Sequence, residues 1–230
     1  MVSSSLYFFF IFILCLDACL ALNSDVLLLL QIKATLSGEG EGEGEGDGDG
    51  NPSLSTWTPH TPLCTWANIT WAFSNGTLLN CTMPSYNHNT SLSNDPSIQA
   101  YSIALVSAGL SGSIPRSLSR LPGLRSLDLS NNSLSGGLPA SIGLGLGLLQ
   151  ILRLGSNQLS GAIPASVWEL CPHLRELRLD HNSFSSDIPV PASSSSSSKK
   201  KTHPCSSSLR VLDFSSNLLS GPVPPFVGGF

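Results

Sequence analysis

The chain has 230 residues, 11 Lys+Arg against 15 Asp+Glu, a formal net charge of −4 and only 11% charged residues. An average soluble domain carries ~25% charged residues, so much of the surface polarity here falls to 41 serines, beside 39 leucines, 21 glycines and 16 prolines. The length sets roughly one domain, the lack of a sustained basic stripe excludes nucleic acid as a default partner, and the leucine content excludes disorder along the whole chain.

Residues 6–16 form an uninterrupted apolar run closed by Asp17, with the small residues Ala18, Cys19 and Ala21 behind it. The run is too short for a membrane span, which needs ~20 residues, and has the length of a secretory h-region. Residues 1–21 therefore read as a signal peptide. Cys15 and Cys19 leave with it, and Cys64, Cys81, Cys171 and Cys205 remain. Four cysteines in an oxidising compartment suggest two disulfides, with three connectivities open. Asn68, Asn75, Asn80, Asn89 and Asn131 each begin an N-x-[ST] glycosylation sequon.

The next segment, residues 22–97, opens on an apolar stretch that reads as a helix, capped by Asn23 or Ser24 and ended by Gly38. Residues 38–50 alternate glycine with Glu39, Glu41, Glu43, Glu45, Asp47 and Asp49. This tract reads as a disordered acidic loop and holds most of the excess negative charge. Its Asp47-x-Asp49-x-Asn51 opening departs from a calcium loop, because Pro52 stands where glycine is required and Thr58 where glutamate is.

From residue 98 onward the chain repeats. The pattern L-x-L-x-x-N-x-L-x-G-x-[IL]-P recurs at 103–115, 127–139, 152–164, 177–189 and 212–224. The L-x-L alternation predicts a short strand with its leucines turned inward. Asn132, Asn157, Asn182 and Asn217 follow it, where an amide satisfies backbone groups of the turn. Ala108 stands at that position in the first unit. Gly112, Gly136, Gly161 and Gly221 permit a bend before the proline. One unit cannot bury its own leucines, so the fold class is an α/β repeat solenoid whose stacked units share one core.

Five units in this register resemble the plant-specific leucine-rich repeat. In the leading segment, residues 24–33 resemble the opening helix of that family's N-terminal cap, and Cys64-Thr65-Trp66 resembles its C-x-W element. The family's usual second cysteine falls where this chain has Trp71, which leaves Cys81 as the replacement. That enlarged cap is similar to the plant transmembrane kinase-like receptors, and the resemblance implies the pairing Cys64–Cys81. It also implies a chain that continues through further repeats into one membrane helix and a kinase-like domain. Cys171 and Cys205 precede the opening leucines Leu174 and Leu209 of adjacent repeats. Strands ~4.8 Å apart bring such positions within disulfide reach, so Cys171–Cys205 is the second expected bond. It closes a Ser/Lys insert at about 192–204, read as a solvated loop.

Chemistry is sparse. The glycines at 143, 145 and 147 lack a Walker pattern and read as structural. Asp180-His181 lacks any nucleophile signature, and as neighbours on a strand these two point to opposite faces. The histidines lack metal-ligand spacing. Neither catalysis nor a cofactor is expected. What remains is a recognition face. One outward column reads Ala104, Asp128, Arg153, Arg178, Asp213, and a second reads Tyr101, Arg125, Gln150, Arg175, Arg210. Asp128 with Arg153, and Arg178 with Asp213, are placed to pair laterally across strands. Arg153, Arg175, Arg178, Asp180 and His181 are the candidate contacts for an extracellular peptide, protein ligand or co-receptor. The resemblance implies the extracellular half of a receptor-like kinase, facing outward from the plasma membrane. The alternative is a complete secreted repeat protein, such as an inhibitor of cell-wall-degrading enzymes.

Overall fold

The computed structural model describes residues 22–36, 52–87, 89–190, 205 and 208–223. The expected signal peptide, acidic loop and Ser/Lys insert lie outside these residues. Helix α1, Ser24–Leu36, starts at Asn23, whose Oδ1 accepts the Asp25 amide at 2.8 Å while its carbonyl accepts Leu27 N at 3.1 Å. Asn23 is thus the N-cap. Val26, Leu29, Ile32 and Leu36 recur at helical spacing and are all buried. Two polar contacts seat the helix. Asp25 Oδ2 accepts the Ala100 amide at 2.9 Å, and Lys33 Nζ donates to the Trp57 carbonyl at 3.2 Å. Burial pushes the Asp25 carboxyl above its ordinary value, against the hydrogen bonds from Ala100 and Ser24.

Behind α1 the cap holds three tryptophans. Trp57 stacks on Trp66 with centroids 5.8 Å apart, and Trp66 meets Trp71 edge-on at 5.7 Å. Cys64 and Cys81 are bonded, with Cα atoms 5.3 Å apart. The disulfide ties the segment before strand β1, Ile69–Phe73, to the turn before the short helix α2, Pro84–Asn87. β1 pairs antiparallel with β2, Ile98–Ala104.

From β2 onward the strands are parallel: β3 (Ser126–Asp128), then β4 (Ser135–Gly136), helix α3 (Ser141–Gly145), β5 (Ile151–Arg153), β6 (Gln158–Ala162), β7 (Glu176–Arg178), β8 (Ser183–Asp187), β9 (Val211–Asp213) and β10 (Leu218–Ser220). They separate into two sheets, β1-β2-β3-β5-β7-β9 and β10-β8-β6-β4. The six-stranded sheet follows the L-x-L pattern, with Ile103, Leu127, Leu152, Leu177 and Leu212 in one register line. The first four of these are essentially inaccessible. Burying one such side chain contributes about 1.5–3 kcal/mol, and stacking is what makes the burial possible.

The second sheet is a departure from the sequence reading. The L-x-G segments, expected only to bend, also pair as strands. Gly136, Gly161 and Gly221 do take positive φ, at 76°, 79° and 73°. In the fourth repeat Ser186 holds the same place at φ 69°. On the opposite side of each repeat, the connectors are 3-10 turns at Arg116–Arg120 and Ala165–Leu170, with α3 between them. A Cβ on Gly143 would come 1.7 Å from the Ser166 carbonyl oxygen, and one on Gly145 2.0 Å from that of Ser119. These glycines exist so that connectors can stack, as their structural reading required. Cys171 and Cys205, both fully buried, are bonded with Cα atoms 4.5 Å apart.

Candidate functional site

Each turn that leaves the six-stranded sheet is held by an asparagine. Asn157 Oδ1 accepts Leu134 N at 3.0 Å, while its Nδ2 donates to the Leu129, Leu154 and Gly155 carbonyls at 3.0, 3.1 and 3.3 Å. Asn132, one unit before, and Asn182 and Asn217, one and two units after, repeat this arrangement. Every side chain therefore spans two units and leaves no buried turn carbonyl to itself. The residue just before this position takes left-handed backbone in all five units: Ser107, Asn131, Ser156, His181 and Ser216, with φ between 51° and 56°.

The sheet face that these turns border carries a charge ladder. The register places Ala104, Asp128, Arg153, Arg178 and Asp213 in one column. Arg153 Nη1 meets Asp128 Oδ2 at 3.2 Å, and Arg178 Nη1 meets Asp213 Oδ2 at 3.5 Å. Between the two arginines lies a residue that the column reading missed. Glu176 receives Arg153 Nε and Nη2 at 3.0 and 2.9 Å, and Arg178 Nε at 2.5 Å. The signal was present, since Glu176 and Arg178 are two apart on one strand and share a face. Hydrogen bonds from Arg153, and then Arg178, hold the Glu176 carboxyl below the usual glutamate range against its partial burial. Ser215, through its hydroxyl and amide, lowers the Asp213 carboxyl. Both guanidinium groups are raised, chiefly by Glu176.

Asp180 and His181 do not oppose each other as expected. They lie in the turn after β7, where the left-handed His181 backbone breaks strand alternation, and His181 Nδ1 sits 3.0 Å from Asp180 Oδ2. Arg153, Arg178 and Asp180 line one depression of about 190 Å³ with Ser130, Asn131, Gly155 and Ser156. Arg175 stands apart, exposed beyond the end of the strand, and makes no ion pair among the described residues. Its column continues to Arg125, whose guanidinium lies 5.6 Å from the Tyr101 ring centroid. Of the sequon asparagines, Asn131 alone borders this face, while Asn68, Asn75, Asn80 and Asn89 lie in the cap. Among the described residues no three His, Cys, Asp or Glu side chains are grouped to hold a metal. No helix among them is long and apolar enough to cross a membrane.

A family model for Leucine rich repeat matches residues 122–184, and a second Leucine Rich Repeat model matches residues 208–230. The Arabidopsis thaliana kinase-like protein TMKL1 is 42% identical over 83 residues, which are 35% of this chain and 12% of that protein. Among solved structures, the BIR3–SERK2 complex from Arabidopsis thaliana matches with a TM-score of 0.59 at 27% identity, over 90% of this chain and 89% of that one. The Arabidopsis receptor kinase HAESA, solved with the peptide hormone IDA and the co-receptor SERK1, matches with a TM-score of 0.52 at 25% identity, over 90% of this chain and 32% of that one. The match to TMKL1 thus spans a small fraction of its length. The parallel strand stack, the asparagine ladder and these similarities together make the described region a leucine-rich-repeat solenoid like those of plant receptor-kinase ectodomains.

Proposed function

We propose that the chain is the extracellular recognition region of a plant leucine-rich-repeat receptor-like kinase or kinase-like protein. It takes a peptide or protein ligand, with or without a co-receptor, along the outer face of the six-stranded sheet. The observation that carries this reading is the depression between the third and fourth repeats, bordered by Arg153, Arg178 and Asp180 and set in a continuous ladder of charge. Stacked repeats present such extended surfaces, and arginine is enriched at protein interfaces. The likeness to ectodomains solved with a peptide hormone or with another ectodomain supports the same role. Residues 1–21 would then direct secretion, the sequon asparagines would carry glycans, and signalling would pass through a membrane span and kinase domain outside these residues. The test is a binding matrix of the secreted chain against plant receptor ectodomains and secreted peptides, run beside the double charge reversal Arg153→Glu with Arg178→Glu. Partners captured by the wild type are expected to be lost. Equal capture by both proteins would reduce the ladder to a stabilising feature.

A further inference from the structure

Four carboxylates, Asp128, Glu176, Asp180 and Asp213, accompany two guanidinium groups on this face, Arg153 and Arg178. The arginines give the impression of an anion site, but both are already paired with carboxylates. Arg153 spends Nε and both terminal nitrogens on Glu176 and Asp128, and Arg178 spends Nε and Nη1 on Glu176 and Asp213. An incoming anion would meet two guanidinium groups whose charge three carboxylates, Asp128, Glu176 and Asp213, already offset. The acceptors that border the depression are less committed. Asp180 uses Oδ2 on His181, while Oδ1 is turned over Gly155. A methyl at Gly155 would lie 2.6 Å from that oxygen and 3.0 Å from the carboxyl carbon, so the carboxylate can lie across residue 155 only because that residue has no side chain. The corresponding positions in neighbouring repeats are Ser130 and Asp180, so in this column the third repeat offers the carboxylate a seat that its two neighbours do not. The Asn131 amide and the Ser156 hydroxyl complete a polar rim. The depression, at about 190 Å³, has room for several waters of ~30 Å³ each.

We propose, on the reading that this face binds a partner, that the depression between the third and fourth repeats receives a cationic side chain, a lysine or arginine, of a peptide or protein ligand. Its ammonium or guanidinium group faces Asp180 Oδ1 and donates to the Asn131 and Ser156 side chains. The ladder of Asp128, Glu176 and Asp213 supplies a net negative field behind it, which raises encounter rate and penalises an acidic residue at that place. Asn131 gives this recess a second property. A glycan on that sequon would stand at its rim and restrict entry to a narrow, extended segment.

The experiment is a selection of a random dodecapeptide phage library on the secreted full chain, followed by affinity measurement on three variants. Asp180→Asn keeps the shape and removes the charge. Gly155→Ala pushes the Asp180 carboxylate off its seat, and Ser126→Trp obstructs the sheet face outside the recess. Circular dichroism and thermal unfolding verify that each variant is folded. Selected peptides are expected to share one Lys or Arg position, to weaken at least tenfold on Asp180→Asn and on Gly155→Ala, and to lose binding when that position becomes norleucine. Peptides without a shared cation, or with affinity unchanged by both Asp180→Asn and Gly155→Ala, overturn the proposal. If such peptides are still blocked by Ser126→Trp, the sheet face remains the binding surface and only the cation assignment falls. If they are indifferent to Ser126→Trp as well, the recognition reading of this face falls with it.

Discussion

Replacing Asn157 by alanine should cost the solenoid about 3–4 kcal/mol, and the hydrogen bonds show where that cost arises. Asn157 makes one bond as an acceptor and three as a donor. The donor bonds are the cheaper ones to lose. The Leu129 and Leu154 carbonyls keep the amides of Asn132 and Asn182, and the Gly155 carbonyl keeps the Asn131 backbone N–H. Each should therefore cost near the lower end of the ~0.5–1.5 kcal/mol net value. The acceptor bond differs, because Leu134 is wholly buried and its N–H donates to Asn157 Oδ1. Orphaning that donor costs about 1–3 kcal/mol, so it dominates. Asn157→Asp keeps the acceptor but turns a carboxylate toward three carbonyls, and it should be no milder than alanine. Urea unfolding at pH 7 gives the free energy, and amide hydrogen exchange at Leu134 reports the orphaned group directly. A loss below about 1 kcal/mol, or Leu134 protection equal to wild type, would refute the ladder as the element that fastens one repeat to the next.

Three further outcomes follow from the same geometry. Glu176→Gln should weaken the folded state at neutral pH, and a double-mutant cycle with Arg153→Ala should give a coupling of about 0.5–1 kcal/mol, since Arg153 is 40% exposed and solvent screens the pair. Because the Glu176 carboxyl is held below its unfolded value of about 4.3, this contribution is present in full above that pH and is lost as pH falls through the lower folded value; urea titrations from pH 7 to 3 should show wild type and variant converging. Ser186→Gly should raise the urea midpoint, because left-handed backbone costs a side-chain-bearing residue about 1–2 kcal/mol and glycine gives back only ~0.5–1 in entropy, whereas Gly161→Ala, at φ 79°, should lower it. Gly143→Ala should cost about 1–3 kcal/mol by driving a methyl into the Ser166 carbonyl, and a neutral result in chemical unfolding would mean that the connectors are not in contact.

How far these features could be read from sequence depended on whether residue identity and structural period coincided. Five of the six strands of the main sheet were legible because alternation and burial agree there: Leu127 and Leu129, or Leu152 and Leu154, are inaccessible at their inward positions. The asparagine positions were legible for a similar reason, since the turn recurs and only an amide offers both a donor and an acceptor. The second sheet was not. β4 consists of Ser135 and Gly136, both exposed, and β8 buries only Phe184 among its five residues. Strands without an alternating face present no hydrophobic period to detect. Their pairing follows from stacking, which is set by residues elsewhere in the repeat.

The candidate site shows the same limit in its electrostatics. Arg153 and Arg178 were expected to pair laterally with Asp128 and Asp213, and both pairs form. What those pairs did not include is Glu176, a single carboxylate shared by both arginines from within the sheet. Neither outward column holds Glu176, because charge compensation runs diagonally between strands, at separations that sequence spacing does not display. Asp180 and His181 were separated on paper by alternation that ends one residue earlier in the fold, at Leu179. Gly155 differs from its neighbours in the column only by the absence of a side chain, and an absence acquires meaning only once Asp180 is seen to lie across it. Partner chemistry on a repeat surface is therefore set by which charges remain uncompensated after stacking, and here those are the acceptors around Gly155.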